Sequence, residues 1–475
     1  SGIMIAKDNE SIFDNAVSAD IVEGFVEVKG ERLVSQLNYL SYISIFLRKQ
    51  NDWGVSYSFS SLKMKESIYK SIPKELRRKY HEKASYILKS KLSREKIKGE
   101  DELICQMLRA NWHLEVKEYI SDSVRKMMEN DSIYQTIQFL EHANELLSKE
   151  DVTDERILVC CILGELYERI GEYSKAVYCF NIVEDMAERE GNNYLLADVY
   201  INKYSLLYKL DDRKASLKYL AYAKNLLRTI DYKKGMYEHI IVMHRMMFHK
   251  RKYSSYIRIL ESALKEIDKE EYKFIYARML GIYGRLKAYK GEYDEGLIVL
   301  EKSIQILESI GNYPKMLYPL NSIGTIYYNH YTDIQKAREY YERCLSISQR
   351  VGNVYYESIS YNSIADQYRM EDKYSTALQF YQNSLKKAKQ IRDKYTEFII
   401  NLNMSLTNIE IEDYKKVLLT LDDMEEEIAN SRYSGDLMDY FYQCRAEFLY
   451  AMGEYERAAE YAQKSVNMCI TWGIT

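Results

Sequence analysis

Leu163-Gly164-Glu165-Leu166-Tyr167, then Gly171-Glu172-Tyr173, then Ala176 and Phe180, is the stretch whose reading decides the fold. The same order of small, aromatic, turn and small residues returns at Gly284, Gly291, Tyr293, Gly296 and Leu300, and at Ile323, Gly324, Tyr327, Ala337 and Tyr341. It returns again at Ala365, Tyr368, Tyr374, Ala377 and Tyr381, and at Ala446, Leu449, Gly453, Tyr455 and Ala458. Weaker copies centre on Tyr208/Ala215/Tyr219, Tyr253/Leu260/Ala263 and Tyr414/Val417/Leu421. Outward from these, a Tyr or aligned residue recurs near Tyr134, Tyr173, Arg213, Tyr253, Tyr293, Asp333, Tyr374, Tyr414 and Tyr455, a beat of about forty residues. A fixed period of this size means stacked supersecondary units, each burying its apolar face on its neighbours.

Each position has a physical reason. Gly or Ala at 164, 284, 324, 365 and 446 lets two antiparallel helices approach closely, and Ala176, Ala337, Ala377 and Ala458 do so from the second helix. Large residues four positions later (Phe180, Tyr341, Tyr381) fill the gap between consecutive hairpins. Gly-Glu-Tyr, Asp-Lys-Tyr and Glu-Asp-Tyr triplets turn the chain between helices. Only three prolines (Pro73, Pro314, Pro319) occur in 475 residues, so long helices are permitted almost throughout.

This pattern resembles the tetratricopeptide repeat over roughly residues 130–470, about eight or nine units. Its period of about 40 exceeds the familiar ~34, by roughly 1.7 helical turns, and is similar to the longer repeats of the bacterial maltose-regulon activator and Rap-type peptide receptors. The expected fold is all-α: a right-handed superhelical solenoid of antiparallel hairpins, with a small winged-helix-like α+β segment at residues 1–90, a helical connector at 91–130 and the solenoid at 131–475.

The first part carries no repeat. A helix-like stretch from Gly30 to Tyr39 precedes Ile43–Leu47 and Val55–Phe59, two runs that flank an Asn51-Asp52-Trp53-Gly54 turn and read as a β-hairpin. A helix capped by Ser61 follows, and then Ile72-Pro73 leads to Arg77, His81 and Ala84. Helix, hairpin and this order of residues look like the winged helix that follows the nucleotide-binding module of STAND-type signalling ATPases. The family's usual His is Ser61 here, and its second His is replaced near Gln106. No GxxxxGK[ST] phosphate loop is present, so the resemblance implies an ATPase upstream, an output domain beyond Thr475 such as a DNA-binding or nucleotide-cyclase module, and a winged helix that relays rather than reads DNA.

Composition narrows the function. A net charge of −4, from 67 basic and 71 acidic residues, argues against nonspecific nucleic-acid or membrane binding. Seven scattered cysteines without a CxxC pair read as buried thiols in a reducing cytoplasm. Seven histidines show no HExxH and no Cys/His metal spacing, and no GxSxG nucleophile motif appears. No catalytic group, metal or cofactor is therefore expected.

What remains is binding. Three positions before the small residue of the first helix stand Asn202, Asn321, Asn362 and Gln443, a ladder of amides that can donate and accept along an extended peptide. The resemblance to Rap-type receptors implies the same use. Near the small residue are Arg245, Arg278 and Arg285, able to hold a carboxylate or phosphate, and one turn further are Tyr328 and Arg369. Two readings follow: a regulatory sensor that takes a peptide, small effector or partner in a concave groove, or a scaffold that holds partner proteins without a small ligand. Capping by the Asn side chains, and pairing of the Arg side chains with neighbouring Glu, are the simpler accounts of the same residues.

Overall fold

A computed structural model describes residues 17–18, 30–42, 46–51, 54–59, 69–92, 100–129, 133–149, 153–249, 253–430 and 435–472. The chain divides into two compact units, Ser1–Leu163 and Gly164–Thr475.

In the first unit, β1 (Val17–Ser18), β2 (Phe46–Asn51) and β3 (Gly54–Phe59) form an antiparallel sheet in the order β1-β3-β2, and α1 (Gly30–Tyr42) precedes β2. The described part of the first hairpin strand begins at Phe46, and pairing runs from Phe46↔Phe59 to Asn51↔Gly54. Ile43–Ile45 and the helix read after Ser61, up to residue 68, lie outside the described residues. The described elements are a helix and a three-stranded sheet; they do not by themselves define a winged helix.

Pro73 sits just before α2 (Lys74–Leu92), where its missing N–H costs nothing. The Tyr69 hydroxyl lies 2.9 Å from His81 Nε2, and His81 Nδ1 lies 2.7 Å from Gln106 Oε1 on α3 (Glu100–Arg109). Tyr69, Ile72 and Tyr80 pack on Ala84. The motif residues of this stretch thus converge on one buried knot. Next come α4 (His113–Glu129), α5 (Ile133–Lys149) and the start of α6 (Asp154–Ile170).

The second unit is a run of hairpins. After α6 comes α7 (Tyr173–Glu190), and α8 (Asn193–Lys209) pairs with α9 (Arg213–Leu227). The next first helix is broken into α10 (Lys233–Val242) and α11 (His244–His249), followed by α12 (Tyr253–Glu266). Then follow α13 (Lys273–Tyr289) with α14 (Tyr293–Ser309), and α15 (Tyr313–Ile326) with α16 (Ile334–Arg350). The last three pairs are α17 (Val354–Met370) with α18 (Tyr374–Gln390), α19 (Lys394–Glu410) with α20 (Tyr414–Asn430), and α21 (Gly435–Ala451) with α22 (Tyr455–Trp472).

The recurring tyrosines at 173, 253, 293, 374, 414 and 455 are the first residues of second helices. The step from Tyr293 to Ile334 is one residue longer than the step before it, and α15 absorbs the extra residue as a π turn over Tyr327–Tyr331. Successive first helices touch one another, α8 with α10, α10 with α13, α13 with α15, and α19 with α21. They form the inner layer of the stack.

The small residues do what their spacing implies. A Cβ on Gly284 would stand 2.8 Å from Leu300 Cγ and 2.9 Å from the Gly296 carbonyl oxygen. One on Gly324 would strike the Tyr341 ring at 2.6 Å, and one on Gly164 the Phe180 ring at 2.6 Å. Between helices the chain crosses the left-handed region: at Gly291 (φ 85°) and Gly453 (φ 80°) without strain, but also at Asp372 (φ 58°) and Glu412 (φ 60°). Asp212, Asp333, Asn353 and Asp393 cap the helices that follow them by accepting a backbone N–H.

Two substitutions test this account by urea denaturation. Gly284→Ala, which in an exposed helix would gain about 1 kcal/mol, should instead destabilise by about 1–3 kcal/mol, because its Cβ meets backbone. Glu412→Gly should stabilise by about 0.5–1 kcal/mol, because relief of left-handed strain exceeds the entropy added to the unfolded chain.

Candidate functional site

The seams between first helices carry the polar groups. Asn403 Nδ2 on α19 donates to Asn362 Oδ1 on α17 at 3.0 Å, and Tyr440 on α21 donates its hydroxyl proton to Asn403 Oδ1. Asn362 Nδ2 points at Asp366 Oδ2, one turn along the same helix, at 3.4 Å. Tyr381, reaching in from α18, donates to Asp366 Oδ1 at 2.5 Å. A continuous chain of side-chain hydrogen bonds therefore joins three consecutive hairpins.

The charged members gather at the same place. Burial raises the Asp366 carboxyl to about 6, against the opposing effects of the Tyr381 hydrogen bond and the Arg369 charge. Arg369 lies against Tyr381 and Asp366, yet its buried Nε–H has no acceptor among the described residues. Tyr328, within the π turn, is raised first by burial and then by Asp366, with Arg369 opposing. Glu447 on α21 is also raised, by burial and by Glu410, again with Arg369 opposing. One hairpin before Asn362, Asn321 Oδ1 on α15 is buried without a hydrogen-bond partner among the described residues.

The structure thus brings Asn362, Tyr328 and Arg369 together, with Asn321 at the neighbouring step. Asn202 is exposed and donates to the Asp198 carbonyl of its own helix at 3.0 Å. Gln443 likewise donates to Asp439 Oδ2 at 3.1 Å. Arg278 Nη1 is paired with Glu238 at 2.7 Å, so the neighbouring-carboxylate account holds there. Arg285 lies between the Tyr289 and Tyr318 rings, 5.7 and 5.4 Å from their centroids. The Arg245 side chain lies outside the described residues.

Sequence reasoning passed over Asn403 and Tyr440, and took Tyr381 for packing alone. Asn403 was within reach: it stands one period after Asn362 and one before Gln443, but its repeat has Leu406 where the others have a small residue. Among the described residues no group of His, Cys, Asp and Glu could hold a metal, and no helix is long and apolar enough to cross a membrane. Burial pushes the Cys160 thiol up to about 11 and Cys344 to about 12, which leaves neither ionised near neutrality.

Residues 276–350 match the tetratricopeptide-repeat family. Those residues run from within α13 to the end of α16, and on either side of them the second unit continues as helical hairpins. No curated protein matches the chain. Among solved structures it is similar to a Rap protein complexed with competence and sporulation factor (14% identity, 75% of this chain and 98% of that one, TM-score 0.49). It is similar also to a STAND protein with a tetratricopeptide-repeat sensor from Pyrococcus horikoshii (16% identity, 97% of this chain, TM-score 0.45), of which it spans 61%. A third is aspartyl phosphate phosphatase F from Bacillus subtilis (14% identity, 74% and 93%, TM-score 0.44). Identities and TM-scores this low establish neither ligand nor activity for this chain.

The site makes two predictions. Because the folded pKa of Asp366 is raised, the folded state binds the extra proton, and stability should fall as pH rises from about 4 through about 6. The loss should be about 1–2 kcal/mol after discounting for partial exposure, and Asp366→Asn should flatten that part of a urea-midpoint profile. A double-mutant cycle of Asn362→Ala and Asn403→Ala should return a coupling of about 1 kcal/mol; additive losses would mean the amide bond contributes nothing.

Proposed function

We propose that the second unit is the ligand-binding part of a regulatory protein, and that a peptide or small effector lies along the first-helix layer beside Asn321, Asn362 and Arg369. One observation carries this reading. Asn362 and Asn403 are paired, whereas the Asn321 carbonyl oxygen is buried with no donor among the described residues, at a cost of about 1–3 kcal/mol that a ligand N–H would remove. The unfilled Nε–H of Arg369 offers the complementary donor one hairpin on. An acceptor and a donor together suit the alternating N–H and C=O of an extended backbone.

For residues 1–90 we assign a winged-helix-like relay of the STAND type, supported by the order of helix and hairpin and by the Tyr69–His81–Gln106 knot. It would pass the state of the solenoid to a nucleotide-binding module upstream.

Thermal-shift screening with peptide and effector libraries tests the binding reading. Ligand at a hundredfold excess over Kd should stabilise the protein by about 2–3 kcal/mol, and Asn321→Ala/Asn362→Ala should abolish the effect. If no ligand shifts the transition while a folded partner protein is held equally by both forms, the chain is a scaffold instead.

A further inference from the structure

Gly171, Gly291 and Gly453 occupy the same turn, between a first and a second helix, at φ of 83°, 85° and 80°. Their surroundings differ. Among the described residues a Cβ on Gly291 or Gly453 would meet nothing within 4 Å, whereas one on Gly171 would stand 2.0 Å from Ile391 Cγ2 and 3.1 Å from Ile391 Cα. Ile391 caps the C-terminus of α18, several hairpins further along the same unit.

The comparison repeats from the other side. Ile310 and Ile391 are both C-caps of second helices, at φ/ψ of −101°/7° and −96°/4°. Ile310 is 38% exposed and Ile391 is 3% exposed. The same residue type, in the same place and backbone conformation, is open in one hairpin and covered in the other.

Electrostatics agree with such a return of the chain upon itself. Lys315 on α15 is reached by solvent but ringed by protein: lost hydration and Arg278 lower its pKa, and Glu168, Glu165 and Glu238 raise it. Glu168 in turn accepts from Lys209 Nζ at 2.6 Å. Charges on α6, α10 and α13 reach a single lysine on α15 because the inner layer curves around it.

We propose that the solenoid of the second unit is clasped, the Gly171 turn docking on Ile391 so that its groove is a closed lumen, and that parting of this contact is the step that admits or releases the ligand. What enters rests on the ligand-binding reading above; the clasp itself does not. One isoleucine beneath one glycine turn is a small contact, so it opens far more readily than a hairpin unfolds. While shut, the lumen admits a small molecule or an extended segment and excludes a folded partner. Glycine is needed at 171 for two reasons, the left-handed backbone and the absent Cβ, whereas at 291 the first alone applies.

The test uses that difference. Gly171→Asn and Gly291→Asn introduce equal backbone strain, and only the first meets Ile391; Ile391→Asp and Ile310→Asp form the matching pair from the other side. Small-angle scattering should show a larger radius of gyration for Gly171→Asn and Ile391→Asp, and none for the two controls. In a Lys315→Cys background, labelling at residue 315 is followed by mass spectrometry, with N-ethylmaleimide and with a maleimide carried on a folded protein. With the clasp intact the bulky reagent should react at least about tenfold more slowly than the small one, the gap expected of a minor open state. Gly171→Asn and Ile391→Asp should close that gap, and the controls should not. Equal behaviour of clasp variants and controls, or equal rates for both reagents with the clasp intact, overturns the proposal. Should Gly171→Asn fail to fold, the isoleucine pair decides alone. Neither readout uses a ligand, so a failed peptide screen and a failed clasp remain distinguishable.

Discussion

Close approach of helices at residues without side-chain bulk is the constraint on which the rest depends. Gly284 and Gly296 each sit against the other's carbonyl oxygen, and Gly324 receives the ring of Tyr341. At these crossings the two helices of a hairpin are locked in register, which sets where every other side chain falls. Tyr341 and Tyr381 then reach through the hairpin toward the first-helix layer, and Tyr381 delivers its hydroxyl to Asp366. Packing and the polar network are thus one arrangement: the ring is core, and the hydroxyl at its end belongs to the site.

That double duty explains what could be read from the sequence and what could not. Hairpins, turns and small-residue contacts follow from local spacing, and the recurring tyrosines mark helix starts nearly to the residue. Asn321, Asn362 and Gln443 could be picked out because a small residue stands three positions on, yet Gln443 donates to Asp439 of its own helix. Asn403 could not be picked out, because Leu406 hides the index there. Arg278 could be placed but not interpreted, because its partner Glu238 lies in a neighbouring hairpin rather than one turn away. The Gly171–Ile391 contact leaves no trace in the spacing, since it depends on curvature summed over several hairpins.

The Asp366 region combines conflicting demands. The Asp366 carboxylate is poorly hydrated, Glu447 is pressed by Glu410, and Arg369 is the opposing cation in reach of both Asp366 and Glu447. Tyrosine hydroxyls and amides supply the remaining stabilisation as neutral dipoles, which hold a charge in place without cancelling it. A region built this way responds to a ligand dipole more readily than one closed by ion pairs.

The π turn at Tyr327–Tyr331 has a consequence for angular order. An extra residue inside an α-helix rotates everything beyond it by about 100°, enough to turn a groove-facing side chain toward the core. The wider turn takes up that rotation within five residues, and α16 goes on to pack against both α15 and α17. Tyr328, within that turn, lies close enough to Asp366 and Arg369 on the next first helix for both charges to act on its hydroxyl. An insertion that elsewhere would scramble a repeat is here confined to a single turn.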